Sequence, residues 1–142
     1  MVANRTLTII KPDAFARGNA GHIIALLEEQ GFKIKAARVL RLSQAQAEAF
    51  YEVHCERPFY GSLTAFMTSG PCMPMVLQKE SAVAALREAI GATDPREAAD
   101  GTVRKLYAES KERNAIHASD SDENAARETR FFFTDTDLLA GS

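Results

Sequence analysis

Apolar and polar positions fall into short blocks along the chain, and the period changes from block to block. Arg5 to Lys11 (RTLTIIK) is β-branched and apolar, which predicts a strand. Pro12 ends it, because proline has no N–H to give to a ladder. Gly18-Asn19-Ala20-Gly21 is a turn leading into a helix that reaches about Gln30. Ile23, Ile24 and Leu27 form its apolar stripe, and Gly31 stands just past its end. From Phe32 to Leu42 the period falls to two. Phe32, Ile34, Ala36, Leu40 and Leu42 share one face and Lys33, Lys35 and Arg41 the other, which predicts a long, half-exposed strand.

Ser43-Gln44-Ala45-Gln46 has the spacing of a capping box. It opens a helix with Ala45, Ala49, Phe50 and Val53 as packing positions and Tyr51 and His54 together on one side. A second helix starts at Pro58-Phe59-Tyr60-Gly61, carries Leu63, Phe66 and Met67, and stops at Ser69-Gly70-Pro71. Phe59 and Leu63 lie one turn apart, and on spacing alone they are most simply core residues. Met73 to Gln78 predicts a third strand. Ser81 is the expected cap of a helix with Val83, Leu86 and Ile90 inward and Gly91 at its end, Arg87 lying at the edge of the stripe. From Ala92 to about Lys111 the pattern fades into a loop with a short acidic helical turn, after which comes Arg104. Long ordered loops in compact domains are often functional. Ser121 then reads as an N-cap with Asp122 and Glu123 in the first turn, where the helix dipole favours acids. That helix leads into Phe131-Phe132-Phe133, expected to be a buried central strand. Thr134 to Ser142 is expected to be a tail.

With the helical pair treated as an insertion, the order of elements is βαββαβ. The expected fold is α/β (α+β): a ferredoxin-like antiparallel sheet, with helices on one face and an inserted helical hairpin. The 142 residues suit one domain, 1–142. A net charge of −2 argues against non-specific nucleic-acid binding, which needs a basic field. Cys55 and Cys72 make neither a metal-ligand spacing nor a disulfide framework. No apolar run approaches the ~20 residues of a membrane span. Lys11 and Pro12 interrupt the one apolar stretch near the N-terminus, so no signal peptide is expected. The expected location is the cytoplasm.

The densest chemistry lies in Asn114-Ala115-Ile116-His117-Ala118-Ser119-Asp120-Ser121. Glu128 follows the Ser121 cap by about two helical turns. It shares the face of the cap and can reach back to a partner. A carboxylate on one imidazole nitrogen fixes the tautomer and frees the other nitrogen, as a nucleophilic histidine requires. Alone, a histidine near a helix start is most simply a surface or capping residue. Alone, Lys11 is most simply a solvated strand-end lysine. Yet Lys11, Tyr51, His54, Arg87, Thr93, Arg104, Asn114 and His117 all stand where apolar patterning breaks. Such a set suits a di- or triphosphate and a transferring phosphoryl group. The glycine-rich phosphate loops GxxxxGK[ST] and GxGxxG are absent.

Six segments carry a resemblance. They are Thr8-Ile9-Ile10-Lys11-Pro12-Asp13, Gly31-Phe32-Lys33-Ile34, Arg57-Pro58-Phe59-Tyr60, Gly91-Ala92-Thr93-Asp94-Pro95, Gly101-Thr102-Val103-Arg104 and Asn114-Ala115-Ile116-His117-Ala118-Ser119-Asp120. In this order and spacing, from about residue 4 to about residue 134, the chain resembles the nucleoside diphosphate kinase family. The resemblance implies ping-pong transfer of the γ-phosphoryl group of a nucleoside triphosphate to a nucleoside diphosphate, through phosphohistidine at His117 Nδ1. It implies that Glu128 holds the other imidazole nitrogen, supported by Ser119. Lys11 would meet the terminal phosphate and ribose 3′-hydroxyl, and Asn114 that hydroxyl. Arg87, Thr93 and Arg104 would grip the outer phosphates and His54 the inner one. Tyr51 would lie near the transferred group, and Phe59 would stack on the base beside Leu63. Mg2+ would arrive on the nucleotide phosphates rather than in a protein cage. Homo-oligomers, as dimers, tetramers or hexamers, are also implied. The chain departs from the family pattern at Ala118, where Gly is usual, at Lys105-Leu106, at Thr129 and at Gln78-Lys79. A silent binding module of the same fold and a phosphorelay to protein acceptors are the competing expectations.

Overall fold

Strand β1 (Arg5–Ile10) is buried from Thr6 onward and forms the middle of the sheet. The structure, a computed structural model, describes residues 3–139. After β1 come α1 (Pro12–Ala16) and α2 (Ala20–Glu29), then β2 (Lys33–Ala37). The inserted pair is α3 (Gln44–Phe50), a 3-10 turn (Glu52–His54) and α4 (Tyr60–Met67). Next are β3 (Met73–Gln78), α5 (Ala82–Ile90), α6 (Val103–Tyr107), β4 (Ile116–Ala118), α7 (Asp122–Phe132) and α8 (Asp135–Leu139). The four strands lie in the order β2-β3-β1-β4, every neighbouring pair antiparallel. That is the expected βαββαβ sheet with its helical insertion.

Several local expectations are met by geometry. Ser43 and Gln46 form the capping box reciprocally, at 3.1 Å and 2.9 Å. Ser121 accepts the Asn124 N–H at 3.0 Å and starts α7.

Others are corrected. Phe131-Phe132-Phe133 is not a strand. Helix α7 runs through Phe132, and Ala125, Glu128 and Phe132 make its buried stripe at helical spacing. A short apolar run cannot be told from a buried helix segment by periodicity. The fourth strand is Ile116–Ala118 instead, so His117 sits in the sheet. The long strand from Phe32 shrinks to Lys33–Ala37. A bulge between Ile34 and Ala36 breaks its register, and the chain rejoins β3's side only at the Leu40–Cys72 bridge. The packing residues of α3 are Ala47 and Phe50, while Ala45, Ala49 and Val53 are exposed. Ser81 precedes α5 in a left-handed conformation and caps nothing with its side chain. The long loop contains α6, and the expected tail contains α8; residues 140–142 lie outside the described residues.

Both sheet faces are covered, not one. Ile10, Met75, Leu77 and Ile116 pack with Ile23 and Leu27 of α2 and with Leu86 and Ile90 of α5. Leu7, Ile9 and Val76 pack on the other side with Phe50, Phe66, Met67 and Phe132. β1 is apolar enough on both sides to demand two layers. Among the described residues, no helix is long and apolar enough to cross a membrane.

Candidate active site

β4 alternates inward and outward, so Ile116 and Ala118 enter one core layer while His117 faces the other. The strand is pinned to β1 with His117 opposite Ile9. Thr8 Oγ1 donates to the His117 carbonyl at 2.6 Å, and Ser119 N–H to the Leu7 carbonyl at 3.2 Å. The imidazole packs edge-on against Phe50 and Tyr51, at centroid distances of 5.4 Å and 6.1 Å. Its Nε2 lies 2.7 Å from Glu128 Oε1, and Ser119 Oγ donates to the same oxygen at 2.8 Å. Glu128 is buried on α7. Burial pushes its carboxyl up, but the bonds from His117 and Ser119 and the charge of Arg127 more than reverse this, leaving it below the ordinary value. An ionised Glu128 accepts a hydrogen bond from Nε2–H, so Nδ1 carries the free lone pair.

The cations are tied to the segment that leads into His117. Lys11 follows β1, is buried, and donates from Nζ to Asn114 Oδ1 at 2.8 Å. Asn114 Nδ2 in turn donates to the Thr93 carbonyl at 3.3 Å. Burial lowers the Lys11 ammonium to about 8, helped by the nearby charge of Arg104 and opposed by Asp13 and Glu112. Arg104, on α6, bonds the Gly91 carbonyl at 3.0 Å and the Ile116 carbonyl at 2.9 Å, while its Nε is buried without a partner. Burial and the charge of Arg87 lower it to about 10, still a cation at neutral pH. Arg87 is exposed on α5 and also acts on Asp120. A cleft of about 340 Å³ is lined by Arg87, Gly91, Thr93, Thr102 and Arg104. His117 is not part of its lining; Arg104 joins cleft and strand through the Ile116 carbonyl. Gly91 has φ +88°, and an added Cβ would meet Thr102 Oγ1 at 2.5 Å. Only glycine fits there, which brings α5 close to the start of α6.

A row of rings leads away from the imidazole. Tyr51 is buried against His117, with its hydroxyl unpartnered and pushed strongly up, by burial first and Glu128 second. The His54 N–H bonds the Tyr51 carbonyl at 2.8 Å, and the His54 ring lies 5.5 Å from Phe59. Phe59 is 47% exposed, so it is not the core residue that its spacing allowed. The Leu63 N–H bonds the Phe59 carbonyl at 2.8 Å, placing half-buried Leu63 one turn on.

Glu128, Ser119 and Tyr51 therefore meet the His117 ring directly; Lys11, Asn114, Thr93 and Arg104 are tied by hydrogen bonds to the segment that carries it; Arg87 shares the cleft of Thr93 and Arg104; and His54, Phe59 and Leu63 continue the row from Tyr51. A cationic shelf, an aromatic row and an imidazole freed at Nδ1 suit an anionic substrate that carries a base.

Comparison with known proteins decides the family. A model described as nucleoside diphosphate kinase matches residues 4–138. The chain belongs to the nucleoside diphosphate kinase family. The protein of that name from Desulfatibacillum aliphaticivorans is 55% identical over 134 residues, 94% of this chain and 97% of its own. That from Methylobacterium sp. strain 4-46 is 54% identical over 139 residues, 98% of this chain and 99% of its own. The nucleoside diphosphate kinase of Aquifex aeolicus superposes with a TM-score of 0.94 at 43% identity, covering 96% of this chain and 99% of that one. That of Encephalitozoon cuniculi gives 0.92 at 34% identity, covering 99% and 95%. This chain is thus a nucleotide-directed kinase, of a family whose reaction runs through phosphohistidine.

For such a kinase, Ala118 introduces no backbone strain. It lies in β4 opposite Thr8, and the non-glycine residues with positive φ among those described are Ser81 and Ala115. Three residues have a part in the site that the sequence did not assign to them: Thr8 and Phe50, which seat the ring and its strand, and Asp13, whose Oδ2 accepts the Ala115 N–H at 3.1 Å. Phe50 and Thr8 look like ordinary core residues of their elements. Asp13 belongs to a segment that carries the resemblance, but no local pattern marked it.

Proposed function

We propose that His117 is the phosphorylated residue of this kinase and that the twelve residues named above divide the work as follows. His117 Nδ1 attacks the γ-phosphorus of a nucleoside triphosphate. The N–P bond forms as the bond to the β,γ-bridging oxygen breaks, and the nucleoside diphosphate leaves with that electron pair. A second nucleoside diphosphate then attacks through a terminal phosphate oxygen and breaks the N–P bond. No proton need move at Nδ1, since that nitrogen starts unprotonated. Glu128 keeps the Nε2 proton, fixes the tautomer and offsets the charge that phosphorylation puts on the ring. Ser119 holds the same carboxylate oxygen in place.

Lys11, Arg87, Thr93 and Arg104 bind the outer phosphates, His54 the inner one, and Lys11 and Asn114 the ribose 3′-hydroxyl. Tyr51 lies beside the transferred group. Phe59 stacks on the base with Leu63 at its edge, and stacking accepts any base, so selectivity among bases is low. Kinases of this kind use a divalent cation, and Mg2+ suits it. The acid against the ring, Glu128, has its oxygen taken by His117 and Ser119, and among the described residues no group of three or more His, Cys, Asp or Glu is placed to hold a metal ion. The cation therefore comes as part of the substrate, on its phosphate oxygens. The protein works in the cytoplasm as a homo-oligomer. The outer strand β2 leaves Ile34 37% and neighbouring Val39 55% exposed, which favours self-association through that edge.

The 2.7 Å contact between Nε2 and Glu128 carries this reading, because it supports a free Nδ1. Incubation with γ-labelled ATP and Mg2+ should give acid-labile, base-stable label that ADP, GDP or CDP removes. Folded protein that takes no label, or takes as much after His117→Ala, rejects the reading. Sedimentation analysis tests the assembly.

A further inference from the structure

Ala115 is buried in the segment between the cationic shelf and His117, yet its φ is +73°. The Ile116 N–H bonds the Asn114 carbonyl at 2.8 Å, closing a three-residue turn around it. A turn of that kind with positive φ at a residue bearing a Cβ is strained, and persists only when surroundings over-determine it. Both ends of Ala115 are held by the segment after β1. The Lys11 N–H donates to its carbonyl at 2.9 Å, and its own N–H donates to Asp13 Oδ2 at 3.1 Å. Asp13 is buried in the first turn of α1, with Oδ1 unpartnered. A carboxylate kept at such a position serves something beyond burial.

The flanking residues show what. Asn114, on one side of the turn, holds Lys11 Nζ and the Thr93 carbonyl. Ile116, on the other, gives its carbonyl to Arg104, and His117 follows. Relaxation of the turn would change the rise and direction of the chain between the phosphate-gripping groups and the imidazole.

We propose that Asp13 is a positioning residue for phosphoryl transfer, clamping Ala115 in its left-handed turn and so fixing the distance between the Lys11–Asn114 pair and His117. This rests on His117 being the phosphorylated residue. Asp13 touches no reacting atom; it acts through the backbone of residue 115. Its charge also opposes the loss of the Lys11 proton, in a setting where Arg104 and Glu112 are the other charges facing that amine and Asn114 its neutral partner.

Three variants and one measurement on the unaltered protein test the clamp. Removal of the acceptor in Asp13→Ala should slow single-turnover phosphorylation of His117 about 10- to 100-fold, since small misplacements of reacting groups cost that much. Nucleotide affinity should fall far less. Glycine adopts positive φ without strain. Asp13→Ala combined with Ala115→Gly should therefore recover most of the lost rate. Asp13→Asn keeps an acceptor oxygen, so it should keep most of the rate, but its alkaline limb should move to lower pH because Lys11 loses a favourable charge. In the unaltered protein the Ala115 amide should exchange as slowly as those of β1. An unchanged rate in Asp13→Ala, a double variant as slow as Asp13→Ala, or an Ala115 amide exchanging like an open loop overturns the proposal. If Asp13→Ala does not fold, Asp13→Asn and the exchange measurement decide: a folded Asp13→Asn with a large loss of rate overturns it. Failure of the unaltered protein to take label at His117 would instead overturn the assignment on which the clamp rests, whatever the exchange of Ala115.

Discussion

Glu128→Gln isolates what the charge behind the histidine contributes. The amide is nearly isosteric with the carboxylate. Its oxygen can still accept from Nε2, now at 2.7 Å from the acid, and from Ser119, now at 2.8 Å. Tautomer and ring position are therefore retained, while the negative charge is lost. A hydrogen bond to a charged group contributes about 1.5–3 kcal/mol and a neutral one about 0.5–1.5. The difference, about 1–1.5 kcal/mol, bears on the phosphorylation step because the imidazole gains positive charge there. At 1.36 kcal/mol per tenfold, that predicts about a 10-fold fall in the rate of phosphorylation. Glu128→Ala removes tautomer control as well and frees Ser119, which has the Leu7 carbonyl at 3.4 Å as its remaining acceptor. Its loss should be on the order of 100-fold, two such steps. Rapid-quench labelling with γ-labelled ATP measures both. Thermal unfolding separates them from global damage. The chain contains no Trp, so the chemical quench replaces indole fluorescence. Equal rates for wild type and Glu128→Gln would refute electrostatic support. A Glu128→Ala rate no lower than that of Glu128→Gln would refute tautomer control.

The acid also has a pH signature. The carboxyl of Glu128 is held below its ordinary value, so its stabilising contribution is complete above about pH 4.5 and is lost as pH falls through the lower folded value. The stability gap between wild type and Glu128→Gln should close on acidification in chemical denaturation. Lys11 has the same sign in a higher window, because burial disfavours its charged form: with its pKa near 8 when folded and 10.5 when unfolded, the unfolded chain binds more protons between those values. Wild type should therefore gain stability on Lys11→Met from pH 8 to pH 10.5, while its KM for triphosphates rises as the ammonium is lost. Phe59 is half exposed, so Phe59→Ala should leave Tm nearly unchanged and raise KM about 10-fold for purine and pyrimidine nucleotides alike, at 1–3 kcal/mol per stacked base. A purine-only effect would contradict simple stacking. Ala118 is extended, so Ala118→Gly should not accelerate labelling and should cost about 0.5–1 kcal/mol in denaturant unfolding, as glycine does inside a strand. A faster Ala118→Gly would mean that the methyl obstructs phosphate.

Where local chemistry decides an element, the chain announces it. Ser43 with Gln46, and Ser121 with its following acids, state two helix starts, and both serines cap their helices in the structure. The cap at Ser121 even sets the turn on which Glu128 lies, so the acid behind His117 could be read by counting. β4 could not. It has three residues, a histidine at its centre, and no strand propensity to speak of; its identity comes from pairing with β1, more than a hundred residues earlier. The run Phe131-Phe132-Phe133 misled for the complementary reason, since burial of Phe132 on a helix stripe and burial in a strand look alike in sequence. The residues proposed to bind phosphate can be named by resemblance, but the meeting of Lys11 with Asn114 cannot be read from local pattern, because it spans 103 positions. Asp13 was invisible in a further sense: its partner is a backbone N–H, and main-chain groups leave no mark in the letters.

Register is what makes these remote pairings reliable. In a strand, a slip by one residue turns every side chain to the opposite face. For β4 such a slip would bury His117 among Ile23, Leu86 and Ile116's neighbours and turn Ile116 toward Glu128, leaving a buried acid with no donor but Ser119. A strand this short has little ladder with which to resist. The resistance comes from bonds outside the ladder: Thr8 Oγ1 to the His117 carbonyl, Ser119 N–H to the Leu7 carbonyl, Lys11 N–H to the Ala115 carbonyl, and Asp13 on the Ala115 N–H. The four side chains or main-chain groups donated or offered by β1 and the turn after it therefore fix where the imidazole points, and Glu128 on α7 only has to meet it. Cutting Thr8 Oγ1 alone by Thr8→Val, a β-branched swap that keeps the strand, should cost phosphorylation rate more than stability; a variant that loses Tm with an unchanged rate of labelling would show that the ladder holds β4 unaided.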